Sequence, residues 1–213
     1  MVHQHKQVCI GPSDHYLISL RLGMLVLLLG LRCSGKTTLA PLLAKKIGCD
    51  WSDLDMLVMT SLKSVNVHDA WTKHGVGAFR DTEARCLASL LQDALRRTNP
   101  LVLALGGGTP TAPGAAALMQ DARTKGHALT IYLRAKPQTL QQRLRAASGD
   151  PIANRPSLTG EDPILEVPKI FLQRDPLYLT LADVVVQVDE CSIDEAMQKI
   201  ESELDRQGRI SRQ

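Results

Sequence analysis

The chain has 213 residues, of which 44% are hydrophobic and 22% charged, and its net charge is +3; this is the composition of an ordinary globular domain, long enough to bury one core. A charge this small and dispersed, with aromatic residues at only 3%, argues against a nucleic-acid partner, which would need a basic face and stacking rings. The five cysteines, Cys9, Cys33, Cys49, Cys86 and Cys191, show no C-x-x-C pair and no metal-ligand spacing, so reduced thiols and a cytoplasmic setting are expected.

Residues 1–23 mix His3, His5, Lys6 and His15 with short apolar runs and are expected to form a poorly ordered extension ahead of one domain spanning residues 24–207. The apolar stretch from Leu17 to Leu31 is interrupted by Arg21 and is too short to span a bilayer, so no membrane partner is expected. Its second half, Met24 to Leu29, reads as the first strand of a parallel sheet, whose two covered faces require a continuous apolar run. Directly behind it stands Gly30-Leu31-Arg32-Cys33-Ser34-Gly35-Lys36-Thr37-Thr38, the spacing G-x-x-x-x-G-K-T between a strand and a helix. Gly30 and Gly35 allow a tight turn that aims successive N–H groups at one anion, and the helix that follows adds the positive end of its dipole. Lys36 is placed to reach the β- and γ-phosphates of a nucleoside triphosphate, and the Thr37 hydroxyl to ligate Mg²⁺.

Thr37 to Ile47 predicts a helix with Leu39, Leu42, Leu43 and Ile47 on one face, ended by Gly48. Next come Asp53 and Asp55, two positions apart, which on a strand would point the same way. Asp53 could then serve the Mg²⁺ hydration shell or take a proton from an attacking hydroxyl, and Asp55 could grip substrate hydroxyls; an aspartate here could equally be a turn or helix cap. Residues 56–98 are helix-rich and irregular, with Arg80 and Glu83 spaced for an intrahelical ion pair. Leu101 to Leu105 predicts a second buried strand running into Gly106-Gly107-Gly108. Three glycines at the carboxyl edge of a parallel sheet, where ligands bind, imply a close approach to the backbone.

Ala115 to Lys125 and Pro137 to Ala147 predict helices around a strand at Leu129 to Leu133. The segment 148–162 is rich in glycine and proline and reads as a mobile lid carrying Arg155. After a further helical piece comes Gln173-Arg174-Asp175-Pro176-Leu177-Tyr178, then a strand at Val184 to Val188 and a closing helix from Ser192 to Leu204, whose Ser192 and Glu195 form a capping box. Residues 208–213 read as a polar tail. Strands alternating with helices predict an α/β fold of three layers, α/β/α, about a central parallel sheet.

Taken in order, the phosphate loop, Asp53-x-Asp55, Phe79-Arg80-x-x-Glu83, Gly106-Gly107-Gly108, Arg155-Pro156, Arg174-x-Pro176-x-Tyr178 and Ala182-Asp183 resemble the shikimate kinases over about residues 24–205. Two acidic positions of that family's pattern are apolar here, at Val58 or a neighbour and at Val76. The resemblance implies a small nucleoside-monophosphate-kinase-like fold, with a substrate segment at about 54–85, acting as a monomer on two small molecules, ATP and shikimate. It further implies that Asp55, Arg80, Gly106, Gly107, Gly108 and Arg174 hold shikimate, the two arginines taking its carboxylate and Asp55 its hydroxyls. Gly30, Ser34, Gly35, Lys36, Thr37, Thr38, Arg145 and Arg155 would serve ATP, with Arg143 a neighbour of Arg145 that could meet adenine instead. Thr37 and Asp53 would serve Mg²⁺, and Lys36, Asp53 and Arg155 the reaction. A related gluconate kinase and a catalytically silent nucleotide-binding module are the alternatives.

Overall fold

The computed structural model describes residues 16–18, 23–94, 96–147, 157, 162–206 and 210–212. Among these residues, seven strands and seven α-helices follow one another as β1 (Tyr16–Ile18), β2 (Leu25–Leu29), α1 (Lys36–Ile47), β3 (Asp50–Asp53), α2 (Leu54–Ser61), α3 (Val67–Ala94), β4 (Leu101–Ala104), α4 (Ala115–Thr124), β5 (Ala128–Arg134), α5 (Pro137–Ala146), α6 (Val167–Leu181), β6 (Val184–Gln187), α7 (Ile193–Arg206) and β7 (Ile210–Arg212). Five of the strands make one parallel sheet in the order β3-β4-β2-β5-β6. The apolar run of β2 is central, paired with β4 from Leu25 opposite Leu101 and with β5 from Leu25 opposite Ala128, and all five of its residues are buried. Helices α1 and α7 pack together on the sheet, while α4 and α6 pack against β5 and each other, which gives the three layers.

The topology places the candidate site. The chain leaves β2 toward one edge of the sheet through α1 and reaches the other side of β2 through α4 and β5, so the carboxyl end of β2 lies at the point where strand order reverses. A crevice opens at such a point in open α/β sheets.

Several local expectations shift. Leu42 lies off the buried face of α1, which is formed by Leu39, Ala40, Leu43, Ala44 and Ile47. Asp53 and Asp55 do not share a strand: Asp53 ends β3, and Asp55 stands in the first turn of α2. The Arg174 to Tyr178 motif belongs to α6 and does not follow it, because the helix runs through Pro176. Proline removes the N–H that would bond to the carbonyl of Leu172, an exposed residue, so water can serve that carbonyl. Helix α3 is kinked at Gly75, whose φ of 81° and ψ of 159° suit glycine alone. Within the segments expected as a poorly ordered extension and a polar tail, β1 and β7 pair as an antiparallel ribbon, Tyr16 opposite Arg212 and Ile18 opposite Ile210. The lid lies largely outside the described residues, and Arg155 with it. No helix among the described residues is long and apolar enough to cross a membrane. The capping box forms as expected, with Ser192 N–H donating to Glu195 at 2.7 Å and Glu195 N–H to Ser192 Oγ at 3.2 Å.

Helix α6 is fastened to β5 by one carboxylate. Asp175 accepts from Arg134 Nε at 2.7 Å and Nη2 at 2.8 Å, and from the Tyr132 hydroxyl at 2.7 Å. The Arg134 fork holds the Asp175 carboxyl below its ordinary value of 3.8. Because the native carboxyl takes a proton less readily than the unfolded one, its stabilisation is complete above 3.8 and is lost as pH falls through the depressed native value. Asp175→Asn is expected to lower the unfolding free energy by about 1–3 kcal/mol at neutral pH, and urea titrations down the pH scale should show the gap from the parent narrowing in that acidic range.

Candidate active site

The loop after β2 wraps its own lysine. Lys36 is buried and donates from Nζ to the carbonyls of Gly30 at 2.8 Å and Leu31 at 2.9 Å, with Ser34 Oγ at 3.5 Å. The ammonium therefore sits at the concave centre of the loop. Beside it a cleft of about 430 Å³ is lined by Gly35, Lys36, Thr37, Thr38, Asp53 and Arg143, among others, a volume within the roughly 300–1,000 Å³ of small-molecule sites. Thr37 Oγ1 donates to Asp53 Oδ2 at 2.9 Å, while Asp53 Oδ1 accepts the N–H groups of Asp55 at 2.9 Å and Met56 at 3.4 Å. One carboxylate thus caps α2 and faces the phosphate loop at once. The capping role expected of Asp53 is formed, and the strand-to-helix junction that carries it lies at the sheet's carboxyl edge beside the loop.

Arg143, and not Arg145, lines this cleft. Residues two apart on a helix lie about 200° apart around its axis, so only one of the pair can face inward. Arg143 donates to the carbonyls of Cys33 at 3.4 Å and Val188 at 2.5 Å.

A second pocket adjoins the first and is lined by Asp55, Trp71, Arg80, Gly107, Gly108 and Arg174, with other residues of α3 and α6. Arg32 and Asp55 line both, so the two hollows meet there. Arg80 is held by Glu83, to which its Nη1 donates at 2.5 Å, and Glu83 also accepts from the Thr109 hydroxyl. Glu83 is fully buried, and burial pushes its carboxyl above the ordinary 4.5 against the opposing pull of Arg80 and Thr109. A Cβ at Gly108 would lie 2.4 Å from Arg80 Nη2, and one at Gly106 2.4 Å from Glu83 and 2.5 Å from Asp55. Gly106 therefore shapes the site from behind and does not line it. The Gly107 carbonyl accepts from Arg174 Nη1 at 2.7 Å and from the Tyr178 hydroxyl at 2.5 Å; burial pushes that phenol up to about 12, so it remains a donor at neutral pH. Two guanidinium groups and a carboxylate line the one pocket, a set of groups that suits a small hydroxylated acid.

Comparison with known proteins decides the kinship. The family profile described as Shikimate kinase matches residues 32–205. The chain belongs to the shikimate kinase family. A shikimate kinase of Thiobacillus denitrificans is 35% identical over 166 residues, covering 78% of this chain and 82% of that protein. One of Chlorobaculum tepidum is 32% identical over 190 residues, covering 85% and 93%. Among solved structures, the shikimate kinase from Acinetobacter baumannii in complex with shikimate is similar in fold, with a TM-score of 0.69 at 24% identity over 89% of this chain and 96% of that one. The shikimate kinase from Bacteroides thetaiotaomicron gives a TM-score of 0.68 at 24% identity, covering 85% and 98%.

Within this family member, sequence reasoning missed Trp71, Arg32 and Glu166, which line the second pocket. Val67, Trp71 and Phe79 flank Gly75, and an apolar pattern broken by that kink gives no steady helical period to read. Ser157, the one described residue of the segment 148–160, donates to Glu166 at 2.9 Å where α6 begins. The buried Glu83 supplies a test. Its native carboxyl takes a proton more readily than the unfolded one, so its contribution to stability is full below 4.5 and is lost as pH rises through the elevated native value. Urea denaturation across that window should show parent stability falling as pH rises, and Glu83→Gln should flatten the slope.

Proposed function

We propose that the protein transfers the γ-phosphoryl group of ATP to the 3-hydroxyl of shikimate, giving shikimate 3-phosphate and ADP. The observation that carries this reading is the meeting of a phosphate loop with a pocket that holds two arginines and a carboxylate, joined at Arg32 and Asp55. In this reading the loop amides and Lys36 receive the β- and γ-phosphates, Arg143 stands near the base, Arg80 and Arg174 take the carboxylate, and Asp55 takes the hydroxyls. Asp53 lies where it can accept a proton from the attacking hydroxyl or orient the metal's water shell.

The residues present fit Mg²⁺. Thr37 Oγ1 and Asp53 Oδ2 are hard oxygen donors 2.9 Å apart, and among the described residues there is no cluster of three or more His, Cys, Asp or Glu that could hold a metal. A magnesium ion bound through one or two protein oxygens, substrate phosphates and several waters needs no larger cage. When bound it would neutralise charge on the transferring phosphoryl group. Arg155 belongs to the same proposal as a transition-state partner from the lid, and its segment lies outside the described residues.

A coupled ADP-release assay with ATP and Mg²⁺ tests the reading. Release should require shikimate, fail with gluconate, and drop about a hundredfold in Asp53→Asn, the order of effect for losing one transition-state charge contact. Release driven by gluconate alone would assign a different kinase, and nucleotide binding with no turnover of any acceptor would assign a silent module. In the same assay Gly108→Ala, whose new methyl group displaces Arg80, should raise the KM for shikimate by about tenfold or more, the cost of an ill-placed charged hydrogen bond.

A further inference from the structure

The two hollows share a cation to which the reading above gives no role. Among the described residues only Arg32 and Asp55 line both, and they are of opposite charge. Arg32 belongs to the loop after β2 and is half-buried. Ser34 N–H donates to the Leu31 carbonyl at 3.2 Å, which closes a turn with Arg32 and Cys33 at its corners. The φ of Cys33 is 63° and that of Arg32 is negative, the signs of a type II turn. The turn is held on two sides. Its Leu31 carbonyl also accepts from Lys36 Nζ at 2.9 Å, and a Cβ added to Gly107 would lie 3.2 Å from the Arg32 backbone nitrogen. Arg32 therefore leaves the chain where the loop after β2 meets the glycine turn after β4, between the cleft of Lys36 and the pocket of Arg80 and Arg174.

Charge decides what a cation there can do. A triphosphate in the cleft and an acceptor hydroxyl in the pocket must meet across this passage, and Asp53 and Asp55 both line the cleft beside it. Bringing a phosphoryl group between them concentrates negative charge, and its transfer is accelerated chiefly by fixed positive groups that offset that charge. Arg32 is the one cationic residue, among those described, that fronts both reactants' hollows. A guanidinium stays charged and offers a planar fork matched to two phosphoryl oxygens. Resting on the shikimate reading above, we propose that Arg32 is a catalytic residue whose guanidinium contacts the γ-phosphoryl oxygens as the group passes from nucleotide to acceptor. In that step the acceptor oxygen forms a bond to Pγ while the bond from Pγ to the β–γ bridging oxygen breaks. ADP keeps that electron pair, and the hydroxyl proton goes to Asp53. A contact completed only midway raises kcat and leaves ground-state binding nearly unchanged.

Arg32→Met and Arg32→Gln are two neutral replacements, so misfolding of one leaves the other, and Arg32→Lys keeps the charge without the fork. The kcat and KM for shikimate are measured together with calorimetric dissociation constants for ADP and for shikimate. The neutral variants should lose kcat by about a hundredfold or more, with part recovered in Arg32→Lys and both dissociation constants within about threefold of the parent. A second readout uses ADP, Mg²⁺, shikimate and aluminium fluoride, which together imitate the transferring group. Fluorine NMR should show bound fluoride in the parent and an affinity weakened by about tenfold or more in the neutral variants. A merely structural arginine would weaken ADP alone just as much. A kcat within about twofold of the parent, unaltered fluoride binding, or an equal weakening of ADP with and without fluoride overturns the proposal. If the parent transfers nothing to shikimate, the kinase reading falls and this assignment with it; if the parent turns over and the neutral variants match it, only this assignment falls.

Discussion

A buried carboxylate under a glycine turn organises the second pocket of this molecule. Glu83 is fully enclosed, accepts from Arg80 and Thr109, and presses against the space a side chain at Gly106 would fill. Such a pair contributes little net stability, because desolvating two charges offsets most of their attraction. What it supplies is position: the guanidinium of Arg80 cannot leave without stranding a buried charge. The glycines are part of the same constraint. Cβ atoms at Gly106 and Gly108 would occupy the volume now taken by Glu83, Asp55 and Arg80, so the backbone turn and the ion pair each presuppose the other.

Arg174 is positioned by an analogous device. Asp175, gripped by Arg134 and Tyr132, locks α6 against β5, and the neighbouring Arg174 is thereby delivered to the Gly107 carbonyl. Tyr132 and Tyr178 stack edge to face beneath it, with centroids 5.4 Å apart. The two arginines come from helices far apart in sequence, yet both are referenced to the same glycine turn. A carboxylate-binding fork must keep its geometry to be selective, and a shared backbone reference achieves this without long, entropically costly side-chain reach.

Between the two hollows lies a junction, with Arg32 and Asp55 lining both. Asp53 caps α2, bonds to Thr37, and so ties the start of α2 to the loop after β2. Phosphoryl transfer depends mostly on alignment and charge neutralisation. A single strand-to-helix junction that meets both hollows fixes their relative position.

The features legible from sequence were those whose physics is local. The G-x-x-x-x-G-K-T spacing, the apolar run of β2, the glycine end of α1 and the Ser192–Glu195 capping box are specified by residues within a turn or two of each other, and each formed as expected. Positions decided by phase or by distant partners were not legible. Whether Arg143 or Arg145 faces the cleft depends on the rotation of α5 against the sheet, and Asp55 lies on a helix only because β3 stops pairing with β4 at Asp53. The pairing of β1 with β7 joins opposite ends of the chain through strands of three residues, too short to carry a period. Sequence by itself determined the glycine-lysine loop between β2 and α1 and the order of elements, because backbone geometry and hydrophobic burial act over short range; only tertiary structure decided which side chains meet, because that depends on how separate elements pack.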